Sequence, residues 1–518
     1  MRTENFLRVA PFAAGMLGVA HGCGGNAPDF WWVQFVAMSA LLALCFLATL
    51  NKLPALSVLT ALAFSAASAG VTHSWIWQSL ARDSALGVPL ASCLFVALVV
   101  GLALLPAMAI ALGCAMVAKT SLARFAPLML ALGYPLAEMA TAALLGFSWS
   151  SIGYSTLGTP LAFLLPVIGI HGVASVVMLA CALTAWSMAG WMSASAKTLP
   201  WRAVAAMSSV VILLALLTHT DFWSMTQPSG HELRVRLVQP AQPLYGKFDA
   251  AQMRETTHQL VALASDASAH LIVAPESVLP HSWSTLPSDL SGPLMSVVAD
   301  SDRTFLVGLF DAGADGGLLN VSVALRADSL RVPPYRYVKR HLVPVSEQRT
   351  PGLRWISDAL ALPYADRQAG DSESVVFMAP HVAIQTTICL DLAYGGDLSE
   401  TSAVTELLVN QSNLAALPGE RVRAQFTAIA RARALEQRKP VLLVSNDGPT
   451  AAIDADGRLL AALPGGRAGA LEAQVIPRHG QTVYAKLGEA CWLMLLAFGT
   501  LGTALWPRRS AARTSSTT

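Results

Sequence analysis

Three residues at the ends of apolar, β-rich runs could together break and remake an acyl bond. The run 270–276 ends on Pro275 and Glu276, and the run 382–389 ends on Cys389, followed by Leu390 and Asp391. Between them, the stretch 335–347 carries Lys339 and Glu347. Covalent acyl transfer needs a thiol that loses its proton before it attacks a carbonyl. A carboxylate beside the thiol can take that proton. A lysine can hold the negative oxygen of the tetrahedral intermediate. Alone, a Glu or a Lys is usually a solvated surface group, and a cysteine is as readily a small buried hydrophobe. Their shared place at strand ends is the signal, and the fold has to bring them together.

The elements around them come in two kinds. The chain has 518 residues, is 54% hydrophobic and 13% charged, and has a mean hydropathy of +0.52. Soluble domains run nearer a quarter charged. These values exclude a disordered chain, a collagen, a coiled coil and an ordinary soluble enzyme. Thirty-four Lys and Arg against 32 Asp and Glu give +2 without a basic stripe, which argues against nucleic acid as a partner. Charge is sparse up to residue 219 and concentrated between about 231 and 487. The expected division is a membrane bundle of about seven helices over 1–220, a catalytic domain over 221–486, and a final transmembrane helix with a tail over 487–518.

A hydrocarbon core about 30 Å thick requires roughly 20 apolar residues per helix. Apolar runs predict spans near 7–23, 31–50, 54–76, 88–117, 122–146, 160–188, 201–219 and 488–506. With the N-terminus in the cytoplasm, Lys52, Lys119, Arg124, Lys197, Arg202 and the last arginines fall on cytoplasmic loops. Seven spans then put the charged domain outside, and the eighth returns the tail. Of seven cysteines, six lie in or beside proposed spans and only Cys389 falls in the charged domain, so that domain has no internal disulfide available.

Strand-like runs in the charged domain lie at 233–239, 270–276, 304–310, 321–325, 382–389, 406–410 and 440–446, with helical patterns at about 249–265 and 419–437. Asp454-Ala455-Asp456-Gly457 is a hairpin turn signal. This pattern predicts a layered α/β domain whose sheets are covered by helices.

At this point the sequence resembles the nitrilase superfamily. Pro275-Glu276, Lys339-Arg340-His341-Leu342-Val343-Pro344 and Ile388-Cys389-Leu390-Asp391 fit its three catalytic blocks. With the membrane part included, the chain resembles the apolipoprotein N-acyltransferase family over nearly its whole length. The stretches 146–154, 164–172, 433–451 and 482–489 carry that likeness, and the block around Lys339 and Glu347 is its most specific signal. The resemblance implies a polytopic α-helical membrane bundle joined to an α-β-β-α sandwich, in a bacterial inner membrane with the catalytic domain in the periplasm. It implies Cys389 as nucleophile, Glu276 as general base, Lys339 as oxyanion partner and Glu347 as a support of the pocket. It further implies an acyl chain taken from a phospholipid as a thioester and passed to the amine of a diacylated lipoprotein. No metal or organic cofactor is implied, membrane lipids are the surroundings, and a monomer is expected.

Three departures from the family pattern bear on the substrate. Leu390-Asp391 stands where the family usually has Tyr-Glu, Phe248 where it usually has Trp, and residues 410–417 replace an aromatic-rich loop. These keep open a divergent membrane-tethered acyltransferase or amidase with another acceptor, such as a conjugation-associated paralogue, and beyond it a non-catalytic scaffold. Glu138 sits inside a predicted span, where a carboxylate is costly unless paired or wet. It reads either as a polar contact near the lipid cavity or as a hydrogen bond to a neighbouring helix. Trp149 and Tyr154 read as interfacial anchors or as the substrate entrance. His171 reads as a packing histidine. No zinc-protease, paired-cysteine or P-loop pattern appears.

Overall fold

The computed structural model describes residues 7–25, 30–83, 86–119, 121–146, 149–192, 226–243, 249–265, 268–299, 302–313, 316–327, 333, 335–348, 354–359, 366–371, 376–380, 382–417 and 419–505. Its first part is helical: α1 (Ala10–Gly24), α2 (Trp31–Leu50), α3 (Pro54–Thr72), α4 (Ser74–Asp83), α5 (Gly87–Ala115), α6 (Ala126–Leu145) and α7 (Leu165–Met192). Five helical stretches, 31–50, 54–72, 87–118, 123–145 and 160–190, are long and apolar enough to cross a membrane. Along α5 the exposed residues Val96, Val100, Leu104, Met108 and Leu112 recur every four positions. An unbroken apolar stripe of that kind suits lipid and would be a liability in water.

The spans differ from the apolar runs in places. The run 54–76 stops at Thr72, the chain turns at His73, and α4 follows as a separate helix that carries Gln78 and, in its last turn, Arg82. The run 160–188 opens as a 3-10 turn over Pro160–Leu164, and α7 is broken at Gly169, whose φ of 66° and ψ of −178° are not helical. An added Cβ on Gly169 would lie 2.2 Å from Tyr484 Cε2, so glycine serves both the turn and the close approach. The expected first span is a helix of 15 residues, and the last, at 490–505, has 16. The run 201–219 lies outside the described residues.

The second part follows in the order β1 (Thr226–Pro228), β2 (Leu233–Gln239), α8 (Ala250–Ser265), β3 (Leu271–Val273), α9 (Ser288–Ser296), β4 (Thr304–Ala312), β5 (Leu318–Leu325), β6 (Tyr335–Val338), α10 (Arg354–Ala359), β7 (Arg367–Gln368), β8 (Val376–Ala379) and β9 (Val382–Ile388). It continues with α11 (Gly395–Glu400), β10 (Leu407–Ser412), α12 (Glu420–Gln437), β11 (Val441–Ser445), β12 (Thr450–Ile453), β13 (Leu459–Leu463), β14 (Gly469–Val475), β15 (Arg478–Gly480), α13 (Val483–Leu487) and α14 (Ala490–Leu505). One sheet runs β14-β2-β3-β4-β5-β6, with β7 beside β5, and the other runs β13-β12-β11-β10-β9-β8.

Alternation along the strands makes the sandwich. Leu237, Leu271, Val273 and Leu306 pack in the core shared with Ile384, Leu407 and Leu442 of the other sheet. Their neighbours Val238, Ile272, Phe305 and Val307 point the other way, onto Leu260 of α8 and Leu294 of α9. Phe426 and Ile429 of α12 join the first core from the far side of the second sheet. A strand period of two therefore buries both faces of each sheet, giving the α-β-β-α layering. Strands β2, β3 and β4 are mutually parallel, as are β9, β10 and β11. Parallel strands aim their carboxyl ends at one edge, where ligands of such sheets collect.

Candidate active site

Glu276 and Cys389 follow the ends of the parallel strands β3 and β9, and Lys339 follows β6. Strand β3 stops at Val273, three residues short of Glu276. Pro275 has no N–H with which to extend a ladder. Gly308 of β4 lies directly beneath this turn, because a Cβ there would come within 2.3 Å of the Pro275 carbonyl and 2.7 Å of the Glu276 Cα. Cys389 opens a 3-10 turn over Cys389–Ala393.

Lys339 is fully buried and its ammonium donates to Glu276 Oε1 at 3.0 Å and to Glu347 Oε1 at 2.8 Å. Asn320 Nδ2 donates to Glu276 Oε1 at 2.6 Å. Arg367 Nη1 donates to Glu347 Oε1 at 2.5 Å, and the Val343 N–H donates to Glu347 Oε2 at 2.9 Å. Two of the three ammonium donors are thereby committed. Burial alone would discharge Lys339, yet Glu276 and Glu347 hold its pKa above the usual lysine value. Burial works against an ionised Glu347 too, but Arg367 and Lys339 keep it below the usual carboxylate range.

Cys389 is buried beside these groups. Burial pushes its thiol pKa up, Lys339 pulls it down, and Glu276, Glu347 and Asp391 push it up again. The balance favours the protonated thiol, and the charge of Glu276 is close enough to act on it. Backbone strain is concentrated here: Ser277, Val345 and Cys389 have φ of 44°, 69° and 49°. Non-glycine residues, and a β-branched valine above all, occupy this region at a cost of about 1–3 kcal/mol each.

Asp391 ties the pieces together. Its carboxylate accepts from Tyr337 Oη at 2.9 Å, from the His341 N–H at 2.7 Å and from the Ile388 N–H at 3.1 Å. One side chain thus fixes the loop after Lys339 to the strand before Cys389. Leu390 is buried in the core shared by the two sheets. Phe248 lies outside the described residues.

The two membrane-side candidates are elsewhere. Glu138 accepts from Ser151 Oγ at 2.7 Å and from the Ile152 N–H at 3.2 Å, so its partners are a loop and not a neighbouring helix. Trp149 is 3% exposed and packs between Trp75 and Phe426 with tilted rings, the centroids 5.4 Å away on each side, instead of anchoring at an open surface. It joins the bundle to α12. Tyr154 Oη accepts from Arg433 Nη2 at 3.4 Å, and His171 Nδ1 meets Glu489 Oε1 at 3.0 Å.

Asn320, Arg367 and Tyr337 are pocket residues that the sequence reading passed over. An asparagine inside the apolar strand 318–325 is a signal that could have been seen. Arg367 sits on a strand of two residues and leaves no periodic trace.

Comparison with known proteins bears on this geometry. Residues 234–482 match the carbon-nitrogen hydrolase family, and residues 17–183 match the N-terminal domain of apolipoprotein N-acyltransferase. An apolipoprotein N-acyltransferase of Bordetella bronchiseptica is 32% identical over 394 residues, 71% of each chain. Proteins of the same name from Nitrosomonas europaea and Methylococcus capsulatus are 29% and 30% identical, over 95% of this chain and 95% of the first, and over 91% and 92% for the second. A CN-hydrolase superfamily structure from Xanthomonas campestris aligns with 52% of this chain and 97% of its own at 17% identity and a TM-score of 0.36. The chain belongs to the apolipoprotein N-acyltransferase family.

Proposed function

From that membership we propose that the protein transfers an acyl chain from a phospholipid, through a thioester on Cys389, to the N-terminal amine of a diacylglyceryl-cysteine lipoprotein. The observation that carries the chemistry is the buried Lys339 held between Glu276 and Glu347 beside a thiol in strained backbone. In the first half-reaction Glu276 takes the thiol proton and the sulfur attacks the ester carbonyl. Lys339 meets the oxyanion. The carbon–oxygen bond then breaks, and Glu276 returns the proton to the departing lysophospholipid alkoxide. In the second, the neutral amine attacks the thioester, the carbon–sulfur bond breaks, and the proton lost by nitrogen reaches the sulfur through Glu276. Glu347, oriented by Arg367 and the Val343 N–H, keeps Lys339 charged and in place.

The proposal includes an inner-membrane location, a periplasmic catalytic domain over about 221–486, and a bundle that delivers lipid to the thiol without its chains entering water. Leu390 at the position after the nucleophile favours a second reading, the same chemistry with another acceptor.

Purified protein in phospholipid micelles, given a diacylated lipopeptide with a free cysteine amine, tests this. Mass spectrometry should show the gain of one acyl chain with the wild type and none with Cys389→Ser. An acyl adduct on Cys389 without transfer would move the activity to the second reading. Neither product nor adduct from folded protein would reject both.

A further inference from the structure

A cavity of about 100 Å³ lies within the bundle, and none of Glu276, Lys339, Glu347 or Cys389 lines it. Its walls come from α1, α2, α3, α5 and α6, and Gln425 of α12 closes one side. The exposed Ser150 stands on its rim. The volume is enough for several waters or a small headgroup fragment.

The lining mixes apolar and polar side chains. Glu138 is its one carboxylate, the histidines His21 and His73 also line it, and no lysine or arginine does among the described residues. Glu138 accepts from Ser151 and Ile152, which leaves carboxylate lone pairs unused. Gln34 is 5% exposed, and its Nε2 donates to the His21 carbonyl at 3.2 Å. A carbonyl only accepts, so the amide orientation is fixed and Oε1 is an acceptor, and that oxygen is buried without a partner. His21 Nε2 is likewise buried without a partner, while Nδ1 meets Ser68 Oγ at 2.9 Å. An unsatisfied polar atom among membrane helices is costly, and an intramembrane carboxylate is seldom idle.

We propose that this cavity is a binding site for a primary ammonium group, separate from the acyl-transfer site. An ammonium brings three donors and one positive charge to a carboxylate and an orphaned amide oxygen. A phosphate or carboxylate ligand would meet the Glu138 carboxylate and no lysine or arginine there. The group can come from the ethanolamine headgroup of a membrane lipid or from a free small amine, and the rim at Ser150 is open to either.

Full-length protein in phosphatidylglycerol nanodiscs tests this by titration, read from tryptophan fluorescence because Trp149 lines the cavity. One arm uses ethylammonium chloride, with sodium chloride as control. The other uses dihexanoylphosphatidylethanolamine on the Cys389→Ser chain, which cannot consume it. Saturable binding in either arm is expected, weakened at least about tenfold by Glu138→Gln and by Gln34→Leu. Binding in the first arm identifies a free amine as sufficient, and binding in the second alone identifies the lipid headgroup. The site is overturned if neither probe saturates, if sodium gives the same response, or if both variants bind as the wild type does. Gln34→Leu leaves the Ser151 loop untouched and carries the test if Glu138→Gln does not fold.

Discussion

Lys339 and Arg433 are both buried cations that meet glutamates, and their surroundings serve different ends. Lys339 stands between Glu276 and Glu347 at the edge where the strands end, beside the Cys389 thiol. Arg433, on α12, pairs with Glu436 at 2.6 Å, and Glu436 Oε1 accepts the Ile170 N–H freed by the break in α7 at 2.8 Å. The Glu436 carbonyl accepts from Thr482 Oγ1, at the start of the helix that leads back to the bundle. The second cluster therefore joins the α/β layers to the helical bundle. Burial and ion pairing are common to both, so neither marks catalysis by itself. What separates them is the Cys389 thiol beside Lys339 and the strained backbone at Ser277, Val345 and Cys389.

The sharpest break between the clusters is Cys389→Ser, which should lower acyl transfer by roughly 10³-fold or more while the protein stays folded. Mass spectrometry of the lipopeptide product checks it, and transfer within tenfold of wild type would dissolve the distinction. Next comes the pair that surrounds the thiol. Glu276→Gln should slow thioester formation by about 10²-fold or more through loss of the base. Lys339→Met should slow it by about 10²–10³-fold through loss of oxyanion stabilisation. Lys339→Met should also destabilise the fold, because it leaves two buried carboxylates facing each other. Acylated Cys389, followed by intact-protein mass after rapid mixing with phospholipid, gives both rates.

The joining cluster should answer in the opposite order. Glu436→Gln leaves Arg433 buried without its counter-charge, a change that costs about 3–5 kcal/mol in comparable buried pairs. Turnover per folded molecule should stay within about threefold, because among the described residues no hydrogen bond or ion pair links that cluster to the thiol. Thermal unfolding alongside transfer rates separates the two. A large fall in turnover with unchanged stability would mean that the joint takes part in catalysis.

How far this contrast was legible in the sequence depends on the kind of signal. Glu276, Lys339 and Cys389 could be seen because each ends or follows a β-rich run, and Glu347 because it sits in a block that resembles a family. Parallel strand order then did what spacing could not, by bringing three distant strand ends to one edge. The joint was nearly invisible. Hydropathy along 160–188 is unbroken, since Gly169 is apolar whatever its φ, and the freed Ile170 N–H has no sequence mark. Trp149 reads as an interfacial aromatic because its partners, Trp75 and Phe426, are remote in the chain. Strands β13 and β14 escaped notice because Val475 is their one buried residue and their one β-branched residue. Long-range pairing, not local preference, places all of these.

The smallest expected effect is also the one that distinguishes two jobs of Glu276. Its charge raises the Cys389 thiol pKa, as burial does more strongly, while its lone pair is the proposed acceptor of the thiol proton. Alkylation by iodoacetamide reports the thiolate fraction and needs no enzymatic base. In the wild type that reaction should be slow near neutral pH and rise only above the ordinary thiol value of about 8.5. Glu276→Gln removes a negative neighbour, so the thiol should lose its proton more easily and the alkylation profile should move toward lower pH. The same substitution should slow thioester formation. Opposite signs from one change would show that the resting thiol is kept protonated by the very group that later takes its proton. A profile that does not move would place Glu276 too far from the sulfur to do either, and one that moves to higher pH would show that Glu276 does not hold the thiol protonated.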